Sequence, residues 1–299
     1  GLGDVYKRQV VGPNFDDLKD LGMVTDAIVA DINNDQWPDI AVVGEWMEVT
    51  ILFNSLGKGF KKRSLIGSAG NWRSLVTGDF DNDGDLDLVA GNMGLNSGLN
   101  ASREFPIRLF GYCPIGETNC FGIMTTFYSS IDGKHASFPI YRRSTMLKAF
   151  NNFQTIFPSY QAYAQFTTND LIRQKGDKIL YQNQIQTLNS SYFENQGSGN
   201  FKFKPLPKEF QWSSVEALLV FDFNDDGNLD LMGAGNNSGI NVTIGNLDAS
   251  KGILALGTGK GDFKVLPSHL LGDFLSGEVR TIKKVLVGEV PYLSTASNN

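Results

Sequence analysis

Three stretches of the chain repeat one nine-residue acidic pattern. They are Asp31-Ile-Asn33-Asn-Asp35-Gln36-Trp-Pro-Asp39, Asp79-Phe-Asp81-Asn-Asp83-Gly84-Asp85-Leu-Asp87 and Asp222-Phe-Asn224-Asp-Asp226-Gly227-Asn228-Leu-Asp230. Oxygen-bearing side chains recur at positions 1, 3, 5 and 9, and Asp85 and Asn228 at position 7 join the candidate ligand set. A turn of this kind aims positions 1, 3 and 5 inward, and position 9 returns from the next strand. Hard oxygens so arranged suit Ca2+. Without a cation, several carboxylates a few ångströms apart repel and raise one another's pKa. The other reading is an Asx-rich hairpin turn with no ion.

The EF-hand is excluded. It needs a bidentate Glu at position 12 and flanking helices, whereas position 12 here is Val42, Ala90 or Gly233. The flanks are short apolar runs of strand length, such as Ile40-Ala-Val-Val and Leu218-Leu-Val-Phe. Each loop therefore joins two buried strands.

A second signal recurs after the loops. Gly57-Lys-Gly59-Phe60, Gly197-Ser-Gly199-Asn-Phe201 and Gly259-Lys-Gly261-Asp-Phe263 are tight Gly-x-Gly turns with an aromatic neighbour. A metal-loop hairpin followed by a glycine-turn hairpin makes a four-stranded blade. One blade cannot bury both faces, so blades must stack radially.

These residues resemble FG-GAP/VCBS repeats, the propeller repeats of integrin α-chains and of many bacterial surface proteins. Leu21-Gly-Met-Val-Thr-Asp-Ala, Gly44-Glu-Trp-Met, Gly91-Asn-Met-Gly-Leu-Asn, Ile131-Asp-Gly-Lys and Gly277-Glu-Val-Arg are similar to VCBS proteins of Bacteroidetes. Those carry an ASPIC/UnbV-type region and are related to cartilage acidic protein. The resemblance implies an all-β propeller, two to three Ca2+ ions in the loops, an extracytoplasmic location and a binding role with no known ligand.

Walking the chain gives expected blades at 22–65, 66–104, 105–206, 207–268 and a partial one at 275–299. Residues 1–21 read as a non-native start plus the end of a preceding blade. This is four to five blades of a larger, seven-bladed ring. The third blade is too long, which places an insertion at 139–180. That stretch lacks β-alternation and favours helix, with Thr168 as the expected N-cap of one turn.

Two departures matter. Gln36 replaces the glycine of position 6, where a left-handed residue other than Gly costs roughly 1–2 kcal/mol. That loop is expected to bind more weakly or to turn differently. Between Ile107 and Met124 the family usually has another metal loop; here Cys113 and Cys120 flank Glu117 instead. The two cysteines form either a local disulfide replacing the ion or two free thiols. An extracytoplasmic setting permits the disulfide.

The formal charge is −6, and three Ca2+ would cancel it, so the acidity belongs largely to the loops. No basic stripe suggests nucleic acid. No apolar run approaches the ~20 residues of a membrane span. The strands leaving the loops end in Glu45 and Trp46, in Asn92 with Asn96, and in Asn236 and Asn237 with Asn241. Such a set suits a glycan, with Trp46 as stacking platform, or a protein ligand. The alternative is that Trp46 packs between blades and the asparagines cap turns. The function expected is non-catalytic binding. A glycan-active lyase or hydrolase, drawing on Glu45, Glu48 or Glu216, and a pure interdomain scaffold are the alternatives.

Overall fold

Apolar alternation in the short strands leaves both faces of each sheet in need of cover, and the fold supplies it from the neighbouring sheet. The structure is a computed structural model describing residues 18–113, 120–129, 135–149, 153–173, 178–240, 244–272 and 275–298. The segment 1–17, Glu117, residues 131–134 and Asn241 lie outside the described residues.

The first sheet is a meander of β1 (Met23–Ala30), β2 (Asp39–Met47), β3 (Thr50–Asn54) and β4 (Phe60–Ser64), with β5 (Gly70–Asn71) added to the far end of β2. Strands β6 (Ser74–Gly78) and β7 (Asp87–Gly91) begin the second sheet. The chain then leaves it. It builds β8 (Ile107–Cys113), β9 (Phe121–Ser129) and β10 (His135–Pro139). Four short helices follow: α1 (Arg143–Ala149), α2 (Phe153–Ile156), α3 (Tyr160–Ala164) and α4 (Thr168–Ile172). Strand β11 (Lys178–Ile185) then completes a separate sheet of order β10-β9-β8-β11. Only then do β12 (Ser191–Asn195) and β13 (Phe201–Pro205) finish the second sheet, in order β13-β12-β7-β6. The third sheet runs β14 (Ala217–Phe221), β15 (Asp230–Ala234), β16 (Ile253–Gly257) and β17 (Phe263–Val265). A one-turn helix α5 (Ser268–Leu271) leads to the hairpin β18 (Glu278–Val287) and β19 (Val290–Asn298).

The architecture is all-β and propeller-like. First strands stand side by side, β1 against β6, β6 against β14 and β14 against β18. Each gap between successive blades has its own apolar cluster. Ile51, Trp72, Leu75, Leu88 and Phe193 fill the first gap, and Phe80, Val89, Tyr192, Phe210 and Leu231 the second. Ala217, Met232, Val279 and Ile282 fill the third. Strand β7 shows the period-2 logic: Leu88 and Ala90 face the first cluster, Val89 the second. Burying one such side chain contributes about 1.5–3 kcal/mol.

The expected boundaries of blades 66–104 and 105–206 are corrected. Blade two is discontinuous, and the inserted sheet is no ring blade of its own. The reason lies in pairing. Strand β12 sets Phe193 opposite Leu88 and Tyr192 opposite Val89, extending both clusters across the sheet. Strand β8 is instead flanked by β9 and β11. The helices do fall within 139–180. They pack Met146, Phe153, Phe157 and Phe166 on Tyr112 and Ile123 of the inserted sheet. The N-cap of α4 is Thr167 rather than Thr168. Its hydroxyl accepts from the Asp170 N–H while Asp170 accepts back from the Thr167 N–H, leaving Thr168 as the first, buried helical residue.

Candidate metal centre

The three acidic loops share one conformation. Position 4 is left-handed in each, with φ 58° at Asn34, 62° at Asn82 and 57° at Asp225. Position 6 is left-handed too, at Gln36, Gly84 and Gly227. Gln36 (φ 70°) therefore does not make its loop turn differently. Its N–H donates to Asp31 Oδ2 at 2.7 Å, as Gly84 N–H does to Asp79 Oδ2 at 3.0 Å and Gly227 N–H to Asp222 Oδ2 at 2.8 Å. Position 1 also accepts from the N–H of position 5, and position 5 from that of position 7.

Position 9 has a second task that the sequence pattern did not reveal. Asp39, Asp87 and Asp230 are wholly buried. One oxygen of each accepts from the N–H of position 2, namely Ile32, Phe80 or Phe223. The other accepts from the third strand of the blade, at Asn54, Asn195 or Gly257, over 2.7–2.8 Å. The carboxylate thus staples the loop hairpin to the next strand.

Only the second loop, among the described residues, draws three carboxylates together. Oxygens of Asp79, Asp81 and Asp87 lie within 4.8 Å of one another. Asp83 stands outside this trio, and its Oδ1 accepts the Asp85 N–H. In the other loops position 3 is an amide. Asn33 Nδ2 donates to Asp35 Oδ2 at 3.0 Å, and Asn224 Nδ2 to Asp226 Oδ2 at 2.9 Å. The amide thereby offsets repulsion that the second loop leaves standing.

Electrostatics follow. Burial pushes the Asp87 carboxyl up to about 6, against hydrogen bonds from Asn195, Tyr192 and Phe80 and with Asp81 adding to the rise. Burial and then the charge of Asp83 raise Asp81. Burial raises Asp39. Asp226, in a loop with fewer carboxylates, is instead lowered by the Asn228 N–H and the Asn224 amide. An all-oxygen set in which the protein penalises ionisation fits a divalent cation, which would remove that penalty.

The position-7 side chains, Asp85 and Asn228, each accept a hydrogen bond from the neighbouring loop. Asn34 Nδ2 donates to Asp85 Oδ1 at 2.7 Å, and Asn82 Nδ2 to Asn228 Oδ1 at 3.0 Å.

The polar set on the opposite strand ends is mostly engaged within the fold. Trp46, left-handed at φ 59°, is half-buried and packs against the cluster of Met93, Leu99, Ile107 and Leu188 at the root of the insertion. Asn92 is wholly buried and bonds Thr187 O, Asn189 O and the Asn71 and Met93 N–H groups. Asn236 bonds Ser213, Ser250 and Gly277. Asn237 reaches Glu216 at 3.5 Å, and Asn96 is exposed. The carboxylates form ion pairs across blades. Glu45 meets Arg73, and Glu216, only 10 % exposed, meets Arg280 at 3.0 Å; within β18, Arg280 also meets Glu278 at 2.7 Å. Glu48 accepts the Gly67 N–H at 2.9 Å.

Cys113 and Cys120 are joined in a disulfide at the β8–β9 end of the insertion. A cleft of about 610 Å³ lies between the end of blade one, the β12–β13 hairpin and the insertion, and is lined by Arg103, Gln186, Asn189 and Lys202 among others. Among the described residues no helix is long and apolar enough to cross a membrane.

A family model described as an FG-GAP-like repeat matches residues 31–90, which contain the first two acidic loops and the blade-one glycine turn between them. A comparison with curated proteins finds no match.

Proposed function

We propose that the chain is a calcium-loaded, non-catalytic binding domain of an exported or envelope protein. The convergence of Asp79, Asp81 and Asp87 oxygens carries this reading. The second loop would be the tightest of two to three sites. Like charges about 4 Å apart near a protein surface repel by roughly 4 kcal/mol, and a Ca2+ ion turns that repulsion into attraction. Each position-9 Asp touches both its own loop and the third strand, so an ion there would hold the blade as well as the loop.

A binding role is favoured over catalysis because Glu45, Glu48 and Glu216, the spare carboxylates a glycan-cleaving site would draw on, are held by Arg73, Gly67 N–H and Arg280. The ligand, a glycan or a protein, is assigned to the cleft beside Arg103 rather than to the Trp46 face. Arg103 is held in place there by stacking on Phe203 at 5.7 Å and a 3.2 Å bond to Ile66 O. The disulfide supports an oxidising compartment. The resemblance of Leu21-Gly-Met-Val-Thr-Asp-Ala and Gly277-Glu-Val-Arg to ASPIC/UnbV-type proteins favours an envelope setting.

The test is a thermal melt in Ca2+ against EDTA, repeated with Asp81→Ala and Asp226→Ala. Ca2+ should raise the Tm by mass action, and each substitution should reduce the rise. A melt indifferent to EDTA ends the metal reading.

A further inference from the structure

The two repeated sequence signals meet in space. Position 4 of one loop donates its side-chain amide to position 7 of the next, and this happens at both junctions between successive loops. Asn34 reaches Asp85, and Asn82 reaches Asn228. The glycine turn of the receiving blade closes on the same spot. A Cβ on Gly259 would stand 2.3 Å from Asn228 Oδ1 and 2.5 Å from Asn82 Nδ2, and one on Gly197 would lie 3.6 Å from Asp85 Oδ2. The contact continues inward. Asn228 Nδ2 and its N–H both donate to Asp226 Oδ1, at 3.0 and 2.8 Å, and Asp226 holds position 5 of the third loop. On the other junction the Asp85 N–H donates to Asp83 Oδ1 at 2.9 Å.

We propose that Asn34 and Asn82 couple adjacent cation loops, so that an ion in one loop strengthens ion binding in the next. The inference rests on the calcium reading above. Asn82 lies between positions 3 and 5 of its own loop, so an ion held there fixes the backbone that aims its amide. The aimed amide orients Asn228, and Asn228 orients the Asp226 carboxylate of the third loop before its ion arrives. Neither asparagine touches an ion; both are positioning residues. Coupling of this kind is reciprocal. An exposed amide bond supports a modest factor, roughly threefold to tenfold in affinity.

The experiment follows 15N-labelled glycine amides of the full chain during a Ca2+ titration. Gly84 and Gly227 donate to position 1 of the second and third loops and report them separately. Asp81→Ala, which weakens the second loop, should move the Gly227 midpoint to roughly threefold to tenfold higher Ca2+. In an Asn82→Gly background, which keeps the left-handed backbone and deletes the amide, Asp81→Ala should leave the Gly227 midpoint where it is. A Gly227 midpoint indifferent to Asp81→Ala, or displaced equally with and without Asn82, overturns the coupling while leaving the metal reading intact. Amides that ignore Ca2+ in both loops overturn the metal reading and the coupling with it.

Discussion

The phenol of Tyr192 donates a 2.7 Å hydrogen bond to Asp87 Oδ2, across 105 residues of sequence. Asp87 closes the second acidic loop; Tyr192 is the second residue of the strand that returns after the insertion. Burial, and then this bond to Asp87, hold the phenol well above its ordinary pKa, so it is a permanent donor. Tyr192→Phe keeps the ring contacts with Phe80 and Phe263 and removes only that donor. The variant should lose about 1.5–3 kcal/mol at pH 7, the usual worth of a bond to a charged group. Urea unfolding in EDTA measures it, and the loss should shrink at pH 5, where Asp87 is protonated.

Asp87 also sets a pH window. Its folded-state pKa, about 6, lies above the ordinary 3.8, so the folded protein binds the proton more tightly than the unfolded chain. The sign is therefore the reverse of the usual carboxylate case. In metal-free protein this group's contribution is fully present below about pH 3.8 and is lost as pH rises from there through 6, on the order of 2–3 kcal/mol. On the calcium reading proposed above, Ca2+ would compete for the same carboxylate, so its affinity should fall as pH drops below about 6. Calorimetry in EDTA and in Ca2+ from pH 4.5 to 7.5 should show the two trends opposed; parallel trends would contradict this account.

Position 3 should set the ranking of the loops. Asp81→Asn gives the second loop the composition of its neighbours and should weaken its Ca2+ binding several-fold. Asn224→Asp makes the reverse change, replacing the amide that now bonds Asp226, and should strengthen the third loop. Titration calorimetry of the two variants reads both effects. Equal affinities in all backgrounds would mean that carboxylate number does not control binding here.

Gln36 pays for a conformation that glycine adopts freely. Gln36→Gly should raise stability by about 0.5–1 kcal/mol, the relief of a left-handed side chain less the added freedom of the unfolded chain. The Gln36 N–H bond to Asp31 is a backbone bond and survives the change. A fall in Tm would show that the Gln36 side chain itself contributes.

The acidic repeat made the loops and their hairpins readable, because positions 1, 3, 5 and 9 must be oxygen-bearing whatever surrounds them. The glycine turns were readable for a similar local reason. Blade two was not, since the pairing of β7 with β12 depends on which distant strand carries Phe193 and Tyr192 opposite Leu88 and Val89. Local propensity is silent on that. For Trp46 the sequence left a stacking platform and a packed ring both open, and only the fold places it, half-buried, against the cluster at the root of the insertion. The roles of Asp85 and Asn228 needed the neighbouring loop, which no single repeat contains. The α4 cap was misplaced by one residue because Thr167 and Thr168 are both good caps, and Asp170 decides between them.

The insertion departs from the second sheet after Gly91 and comes back at Ser191, and both crossings are pinned at one spot by Asn92, whose amide bonds Thr187 O and Asn189 O. The excursion is thus a guest sewn into a host along a single seam. While the chain is being synthesised, blade two waits as an unfinished two-stranded hairpin until the guest has been made. A shortcut joining residue 92 to residue 190 should let that hairpin find its partner early, turning a pairing across 105 residues into a local one.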